Sequence, residues 1–379
     1  MKKKQKRRIN LIADRYRTGD TQPRCPHFGD CGGCSFQDIA YDDQLLVKRD
    51  LVNQALEGLA AVDEVHPSPP YGYRNRMDMV TAFGKLGLRR GGSFRVVVDL
   101  QECPLMQEKS ERLFRSLGPA VRSVEGYDYL RHEGYLRYVV FREARHTGQV
   151  MVNFVTAAAE NRLGEMIDAM AGEADSISLI HSGGLADLSY GDTYDTIRTG
   201  FIEETLDSIR YRITPNSFFQ SNSAVTLAVY RRIREEVRGR VLDLCAGIGG
   251  ISLFVAGAAD QVTGVESNGE AVEAAKVNRD INGIENADFI LSEAREYLSR
   301  CTGGFDTIVL DPPRTGMQRH AMESLDLLGA EKIVYMSCNP ATFREDVAHL
   351  KHYRVESLEA YDMFPQTPHV ELLSVLRPL

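Results

Sequence analysis

The sequence contains no run of about 18 apolar residues, so nothing in it reads as a membrane span. Its cationic start, Met1-Lys2-Lys3-Lys4-Gln5-Lys6-Arg7-Arg8, lacks the apolar core that follows in a secretory signal, and a cytoplasmic protein is expected. Excess positive charge is missing too: the formal net charge of −8 argues against a whole-surface nucleic-acid binder. A local basic face can still hide inside a negative total. There is no internal repeat. The regular Gly-x-Gly-x-x-Gly turn that follows a pyrophosphate is absent, which removes the fingerprint of dinucleotide enzymes. The seven cysteines of a cytoplasmic chain are not expected to form disulfides.

What remains is an ordinary globular composition. The chain has 379 residues, 43% hydrophobic and 26% charged, enough for two or three domains with their own cores. Residues 1–24 read as a basic tail and 25–200 as an α+β region without a nucleotide motif. Within that region a helical period spans Asp42 to Ala60, a helix able to pack on the following domain. Gln107 to Leu117 reads as a helix stopped by Gly118-Pro119, and Asn161 to Gly172 as another. Tyr138 to Arg142 and Gln149 to Thr156 read as a hairpin about His146-Thr147-Gly148. Residues 201–379 change to strand–helix alternation, the pattern of a parallel α/β sheet. The strands are expected at Arg240–Leu244, Gln261–Glu266, Ala287–Leu291, Thr307–Leu310 and Lys332–Met336, followed by Arg354–Tyr361 and Glu371–Leu376. Seven strands with a closing hairpin suit a Rossmann-like methyltransferase domain.

Four cysteines look organised: Cys25, Cys31 and Cys34 in a glycine-containing loop, and Cys103 far downstream. Four thiolates could hold zinc or an iron–sulfur cluster. The Cys-x5-Cys-x2-Cys spacing differs from the paired knuckles of zinc ribbons, which favours [4Fe–4S]. His27 is an alternative ligand. Two basic stretches carry interleaved aromatics, as RNA-binding faces do. One runs from Tyr71 through Arg74 and Arg76 to Arg95, with Phe83 and Phe94. The other holds Arg131, His132, Arg137, Arg142, Arg145 and His146, with Tyr135, Tyr138 and Phe141. The plainer alternative for both is a solvated sheet face.

Val241-Leu242-Asp243-Leu244-Cys245-Ala246-Gly247-Ile248-Gly249-Gly250 follows the first catalytic strand. Its glycines allow a tight turn and close approach of a ligand to backbone amides. Asp243 precedes the turn, and Glu266 ends the next strand about 20 residues on, where a carboxylate can accept ribose hydroxyls. Acidic groups suit S-adenosylmethionine, which is cationic and carries no phosphate. Asp311-Pro312-Pro313-Arg314 holds a carboxylate on a stiff strand exit. Arg314 stands where amine methyltransferases carry an aromatic, which disfavours methylation of an exocyclic amine. Cys338, in Ser337-Cys338-Asn339-Pro340, lies at a strand's carboxyl end, where such sheets open their ligand crevice. Taken alone, it would read as a small buried hydrophobe.

Together these residues resemble the RNA uracil-C5 methyltransferase family, whose iron–sulfur members modify ribosomal and transfer RNA. The resemblance runs from Cys25 to Glu371. It rests on Cys25/Cys31/Cys34/Cys103, Asn216–Asn222, Asp243–Gly250, Asp311–Arg314, Ser337–Pro340 and the stretch from Asp362 to Glu371. It implies Cys338 as the nucleophile that adds to uracil C6 and Glu371 as the base that removes the C5 proton, with His369 its competitor. It implies donor contacts from Gln220, Asp243, Cys245, Gly247, Gly250, Glu266, Glu293 and Asp311, and a [4Fe–4S] cluster on the four cysteines. The target base must be unpaired or flipped.

Family members often carry an amino-terminal RNA-binding barrel before the cluster. Only 24 residues precede Cys25, so RNA recognition is expected from residues 65–200. A monomer acting on 23S ribosomal RNA is the expectation, with the T-loop of transfer RNA the alternative. The rivals are a methyltransferase acting on an RNA or protein amine, and a noncatalytic metal-bearing RNA-binding protein.

Overall fold

The computed structural model describes residues 3–170 and 172–379. Met1 and Lys2 of the expected tail, and Ala171 of the helix expected over Asn161 to Gly172, fall outside them. The rest of the basic start is not an extended tail. Lys3–Ala13 forms α1, which buries Ile9, Ile12 and Ala13 against Phe36, Ile39 and Val47. An apolar stripe within the cationic run gives it a partner to pack on.

The first sheet comprises β1 (Arg76–Ala82), β2 (Lys85–Arg89), β3 (Val97–Asp99), β4 (Leu136–Glu143), β5 (Val150–Thr156), β6 (Ser176–His181) and β7 (Asp192–Arg198), in the order β3-β2-β1-β4-β5-β6-β7. Only the β5–β6 pairing is parallel. One face is covered by α3 (Glu108–Ser123) and α4 (Gly164–Met170). Helix α3 runs straight through Gly118-Pro119, correcting the expected stop. Proline removes one donor from the helix ladder, but Leu113, Phe114, Leu117 and Val121 continue one apolar face on the sheet, and that burial outweighs the break.

The hairpin β8 (Ile202–Leu206) and β9 (Ile209–Ile213) leads into the second sheet. Its strands are β10 (Arg240–Leu244), β11 (Gln261–Glu266), β12 (Ala287–Leu291), β13 (Thr307–Leu310), β14 (Lys332–Ser337), β15 (Tyr353–Tyr361) and β16 (Glu371–Pro378). The order is β12-β11-β10-β13-β14-β16-β15, parallel except where β16 pairs with β14 and β15. Successive side chains of a strand point to opposite faces, and here both faces are buried. Val241, Val309 and Val334 meet α5 (Ser223–Glu236), α6 (Gly250–Val255) and α7 (Gly269–Ile281) on one side. Leu242, Ile308 and Ile333 meet α8 (Ala294–Arg300), α9 (Arg319–Asp326) and α10 (Pro340–Val347) on the other. The chain reverses its direction of travel across the sheet at β10, which places a crevice at the carboxyl ends of β10, β11 and β13.

The amino-terminal helix α2 (Tyr41–Ala55) joins this second core through Val52 and its capping residue Leu56. It also buries Lys48 completely, in an ion pair with the equally buried Asp362, to which Tyr41 Oη donates at 2.9 Å. Lys48→Met is expected to cost about 3–5 kcal/mol, because it leaves Asp362 charged and uncompensated in the interior. Chemical denaturation measures this, and a loss below about 1 kcal/mol would contradict it. No helix among the described residues is long and apolar enough to cross a membrane.

Candidate active site

One cavity of about 850 Å³ opens at the crevice. Gln220, Asp243, Cys245, Gly247, Gly250, Glu266, Glu293, Asp311, Cys338 and Glu371 all line it. The structure thus brings together every non-metal site residue expected from the sequence. His369 is not among the lining residues. It is half-buried beside Phe364, and burial followed by the Arg314 charge pulls its imidazole down to about 4.

The glycine turn after β10 has the geometry its sequence demands. Cys245 and Ala246 donate their N–H groups to the Val265 carbonyl at 3.0 and 3.1 Å, fastening the turn to β11. Gly249 has φ +82°, and a Cβ there would meet Phe289 at 2.9 Å. At Gly250 a Cβ would meet the Tyr230 hydroxyl at 2.6 Å. Gly247, at φ +55°, donates its N–H to Oε2 of Glu266 at 2.9 Å, while Oε1 accepts from the Asn268 N–H at 2.8 Å. The carboxylate therefore stands at the end of β11, held beside the turn. Cys245 itself has φ +66°, and its thiol is pushed up to about 12 by burial and then by Glu266.

Two buried carboxyls face the same space. Asp243 Oδ2 accepts from the Ser252 hydroxyl at 2.5 Å, while its Oδ1 is buried with no hydrogen-bond partner. Asp311 Oδ2 accepts from Gln220 Nε2 at 2.9 Å. Burial pushes each carboxyl up to about 7. Asp243 Oδ1, a buried carboxylate oxygen without a protein partner beside a glycine cradle, fits a cationic ligand.

Cys338 and Glu371 enter from adjacent antiparallel strands, β14 and β16, where Ser337 pairs with Leu372. Burial, then the Glu371 carboxylate, pushes the half-buried Cys338 thiol up to about 11, and the Arg314 guanidinium opposes them. Glu371 is buried, so its carboxyl is pushed well above the usual range, with Asp311 adding and Arg314 opposing. Asn339, which caps α10, donates Nδ2 to the Arg314 carbonyl at 3.1 Å and so ties the thiol's loop to the Asp311–Arg314 turn.

Several positioning groups were not legible in the sequence. Asn75, before β1, donates Nδ2 to the Gln220 carbonyl at 2.7 Å and its N–H to Ser221 O at 3.0 Å. Arg142 donates to the carbonyls of Thr214 at 2.9 Å and Ser217 at 2.8 Å, bracing the segment that carries Gln220. This removes Arg137 and Arg142 from the second basic stretch as an RNA face, while Arg131, His132, Arg145 and His146 remain exposed. Arg137 and Arg142 are wholly buried, with Tyr135, Tyr138 and Phe141, and the Arg137 guanidinium serves the carbonyls of Ser182, Gly184 and Ala186. An arginine on a strand buried on both faces finds partners in loop carbonyls, which local sequence does not reveal. In the first stretch Phe83 and Phe94 are exposed, as is Arg95, while Tyr73 is buried.

The four cysteines Cys25, Cys31, Cys34 and Cys103 line one small cavity of about 20 Å³ and are all free thiols. Burial pushes Cys34 up to about 11 and Cys103 to about 12, and each thiol is pushed further by its neighbours in the set. His27 lines the same cavity, and its Nε2 accepts from the Gln101 N–H at 3.0 Å. Among the described residues no three His, Cys, Asp or Glu side chains converge closely enough to hold a metal ion as they stand.

The sequence profile of the family described as tRNA (Uracil-5-)-methyltransferase matches residues 195–377. A tRNA (uracil(54)-C(5))-methyltransferase of Pyrococcus furiosus is 37% identical over 388 aligned positions, covering 100% of this chain and 92% of the relative. A 23S rRNA (uracil(747)-C(5))-methyltransferase of Pyrococcus horikoshii is 33% identical, covering 92% of this chain and 83% of the relative. The crystal structure of Pyrococcus abyssi tRNA (uracil-54, C5)-methyltransferase with S-adenosyl-L-homocysteine superposes with a TM-score of 0.82 at 36% identity, over 93% of this chain and 86% of that one. The chain belongs to the RNA (uracil-C5-)-methyltransferase family, class I enzymes that use S-adenosylmethionine to methylate uracil C5 in RNA.

Proposed function

We propose that this enzyme methylates a uridine through a covalent Cys338–C6 adduct resolved by Glu371. The observation that carries this reading is the placement of Cys338, Glu371 and the donor-side carboxyls around one cavity. The Cys338 thiolate adds to C6, and the electron pair moves to C5 and O4. C5 takes the methyl group from the sulfonium, which leaves as the neutral thioether. The Glu371 carboxylate then removes the C5 proton, the C5–C6 double bond re-forms, and the C6–S bond breaks to return the thiolate. Arg314 is the cation that favours the thiolate against burial and Glu371. Glu371 rather than His369 is the base, since it lines the cavity and His369 does not.

On the donor side, Asp243 and Asp311 would face the cationic amino-acid and sulfonium end, with Gln220 holding Asp311. Glu266 would take the ribose, and the amides about Cys245, Gly247 and Gly250, with Glu293 beyond them, the remainder. Donor binding requires ionised carboxyls, so affinity is expected to weaken by up to about tenfold per pH unit for each of them below pH 7. Binding at pH 6 should release protons, as calorimetry in buffers of different ionisation enthalpy measures; binding with no proton release would contradict it. Stability follows the opposite sign. These acids are raised above their ordinary 3.8, so donor-free stability is greatest while both forms are protonated and is lost as pH rises from there through about 7.

The cysteine set fits a four-thiolate centre in its chemistry and in sharing one cavity. A single tetrahedral zinc needs sulfurs about 3.8 Å apart, from Zn–S bonds of about 2.3 Å, whereas a four-iron cluster holds its ligands farther apart. The Cys-x5-Cys-x2-Cys spacing with a distant fourth cysteine, unlike the paired knuckles of zinc ribbons, is what favours [4Fe–4S] over zinc. Cys25, Cys31, Cys34 and Cys103 would hold the cluster, which would supply a structural tie between residues 25 and 103. Iron and sulfide in anaerobically purified protein are expected; stoichiometric zinc would overturn the assignment.

For the substrate, similarity over the whole chain to transfer RNA uridine-54 enzymes, at 37% against 33% for the ribosomal one, moves the preference from 23S ribosomal RNA to the T-loop. Mapping of labelled methyl groups after reaction with transfer RNA and 23S RNA transcripts tests this. The product expected is 5-methyluridine at position 54 of transfer RNA, and methylation confined to 23S RNA would reverse the choice.

A further inference from the structure

The loop between Asp362 and Val370 delivers Glu371 to the cavity, yet much of its shape is dictated from the amino-terminal region. Gln366 is buried within it at φ +67°, a left-handed conformation that side chains other than Asn and Asp seldom adopt. Such a residue persists only where its surroundings over-determine it. Here every polar group of one residue is engaged. The Gln366 N–H donates to Gln44 Oε1 at 3.1 Å, and its Oε1 accepts from Gln44 Nε2 at 3.0 Å. Its Nε2 donates to the Pro70 carbonyl at 3.3 Å. Its carbonyl accepts from the N–H groups of Ser35 at 2.8 Å and Phe36 at 3.2 Å, directly after Cys34. Gln44 in turn donates to the carbonyls of Phe36 and Ile39, both at 2.9 Å. One residue before Gln366, the Pro365 carbonyl accepts from Tyr73 Oη at 3.0 Å, and Tyr73 precedes the cavity-lining Arg74.

We propose that Gln366 is a positioning residue: locked by Gln44 and by the cysteine loop, it fixes the path along which the chain places Glu371 against the substrate carbon. The inference rests on Glu371 acting as the base. Its consequence is selective. Adduct formation and methyl transfer depend on Cys338, Arg314 and the donor loop, whereas the hydrogen bonds of Gln366 go to Gln44, Pro70, Ser35 and Phe36. Proton removal depends on the placement of Glu371 and so on this lock. A residue that merely holds the fold would lower all steps together.

The test uses the full-length protein with two variants. Gln366→Asn tolerates the left-handed backbone and is one methylene too short to keep its partners. Gln44→Met leaves the Gln366 backbone untouched and removes the reciprocal amide. In both, donor affinity and the rate of trapping on 5-fluorouridine RNA should be unchanged, since neither needs Glu371. Turnover on ordinary uridine RNA should fall about tenfold or more, with a denaturation-resistant protein–RNA complex accumulating during turnover. Glu371→Gln is the reference. If it accumulates no complex, the reading of Glu371 fails and this inference with it. If it does and the two variants turn over normally, or lose donor affinity, trapping and turnover in parallel, the positioning role alone is overturned.

Discussion

Cys338→Ala is expected to fold, to bind S-adenosylmethionine as before, and to lose methyl transfer to uridine by about 10⁴-fold or more. The size of the loss follows from the chemistry of the acceptor. C5 of uracil is the α-carbon of an unsaturated carbonyl system, whose β-carbon is C6, and it has too little electron density to attack a sulfonium methyl. Sulfur addition at C6 converts it into an enolate carbon, and no other nucleophile among the cavity-lining residues stands in the same position. Cys245 also lines the cavity, but it lies in the donor turn and its thiol is pushed up to about 12. Retention of donor affinity separates this result from unfolding. Scintillation counting of methyl groups in RNA, with calorimetry for the donor, reads both quantities. A variant that kept more than about a tenth of its activity would remove Cys338 from the reaction.

Glu371→Gln should have a different signature. The amide is nearly isosteric and fits the same buried place, but it cannot accept the C5 proton. Addition and methyl transfer should proceed, and release of product should slow by about 10²–10⁴-fold. The methylated adduct then accumulates on ordinary RNA, visible as a protein–RNA band that survives denaturation and carries the labelled methyl group. The environment explains why a carboxylate here can serve as a base. Burial and the nearby Asp311 raise its proton affinity, and Arg314 restrains the rise. A carboxylate in water would be a weaker base by comparison. Normal product release in Glu371→Gln would assign proton removal elsewhere.

Most of the catalytic sheet was legible because its strands are buried on both faces and stand at regular spacing. The strand expected at Gln261–Glu266 is observed with the same bounds, and Glu266 ends it beside the glycine turn. The convergence of Asp243, Asp311 and Cys338 on one crevice follows from each standing at the carboxyl end of a parallel strand. What was not legible depends on pairs distant in sequence. Lys48 and Asp362, or Gln44 and Gln366, are separated by more than three hundred residues, and neither segment announces its partner. The same limit misassigned Arg137 and Arg142, whose partners are carbonyls of later loops rather than phosphates. Helix α3 passed through Gly118-Pro119 because tertiary burial outweighed a local stop signal.

The covalent adduct is the centre of this account, and 5-fluorouridine RNA tests it most directly. Fluorine at C5 cannot leave as the proton does, so after methyl transfer the complex has no exit through Glu371. Incubated with this RNA and S-adenosylmethionine, the protein should form a denaturation-resistant complex, and mass spectrometry of the digest should place the nucleotide on the Cys338 sulfur. Active enzyme that forms no such complex, or one linked through any other residue, would contradict the mechanism.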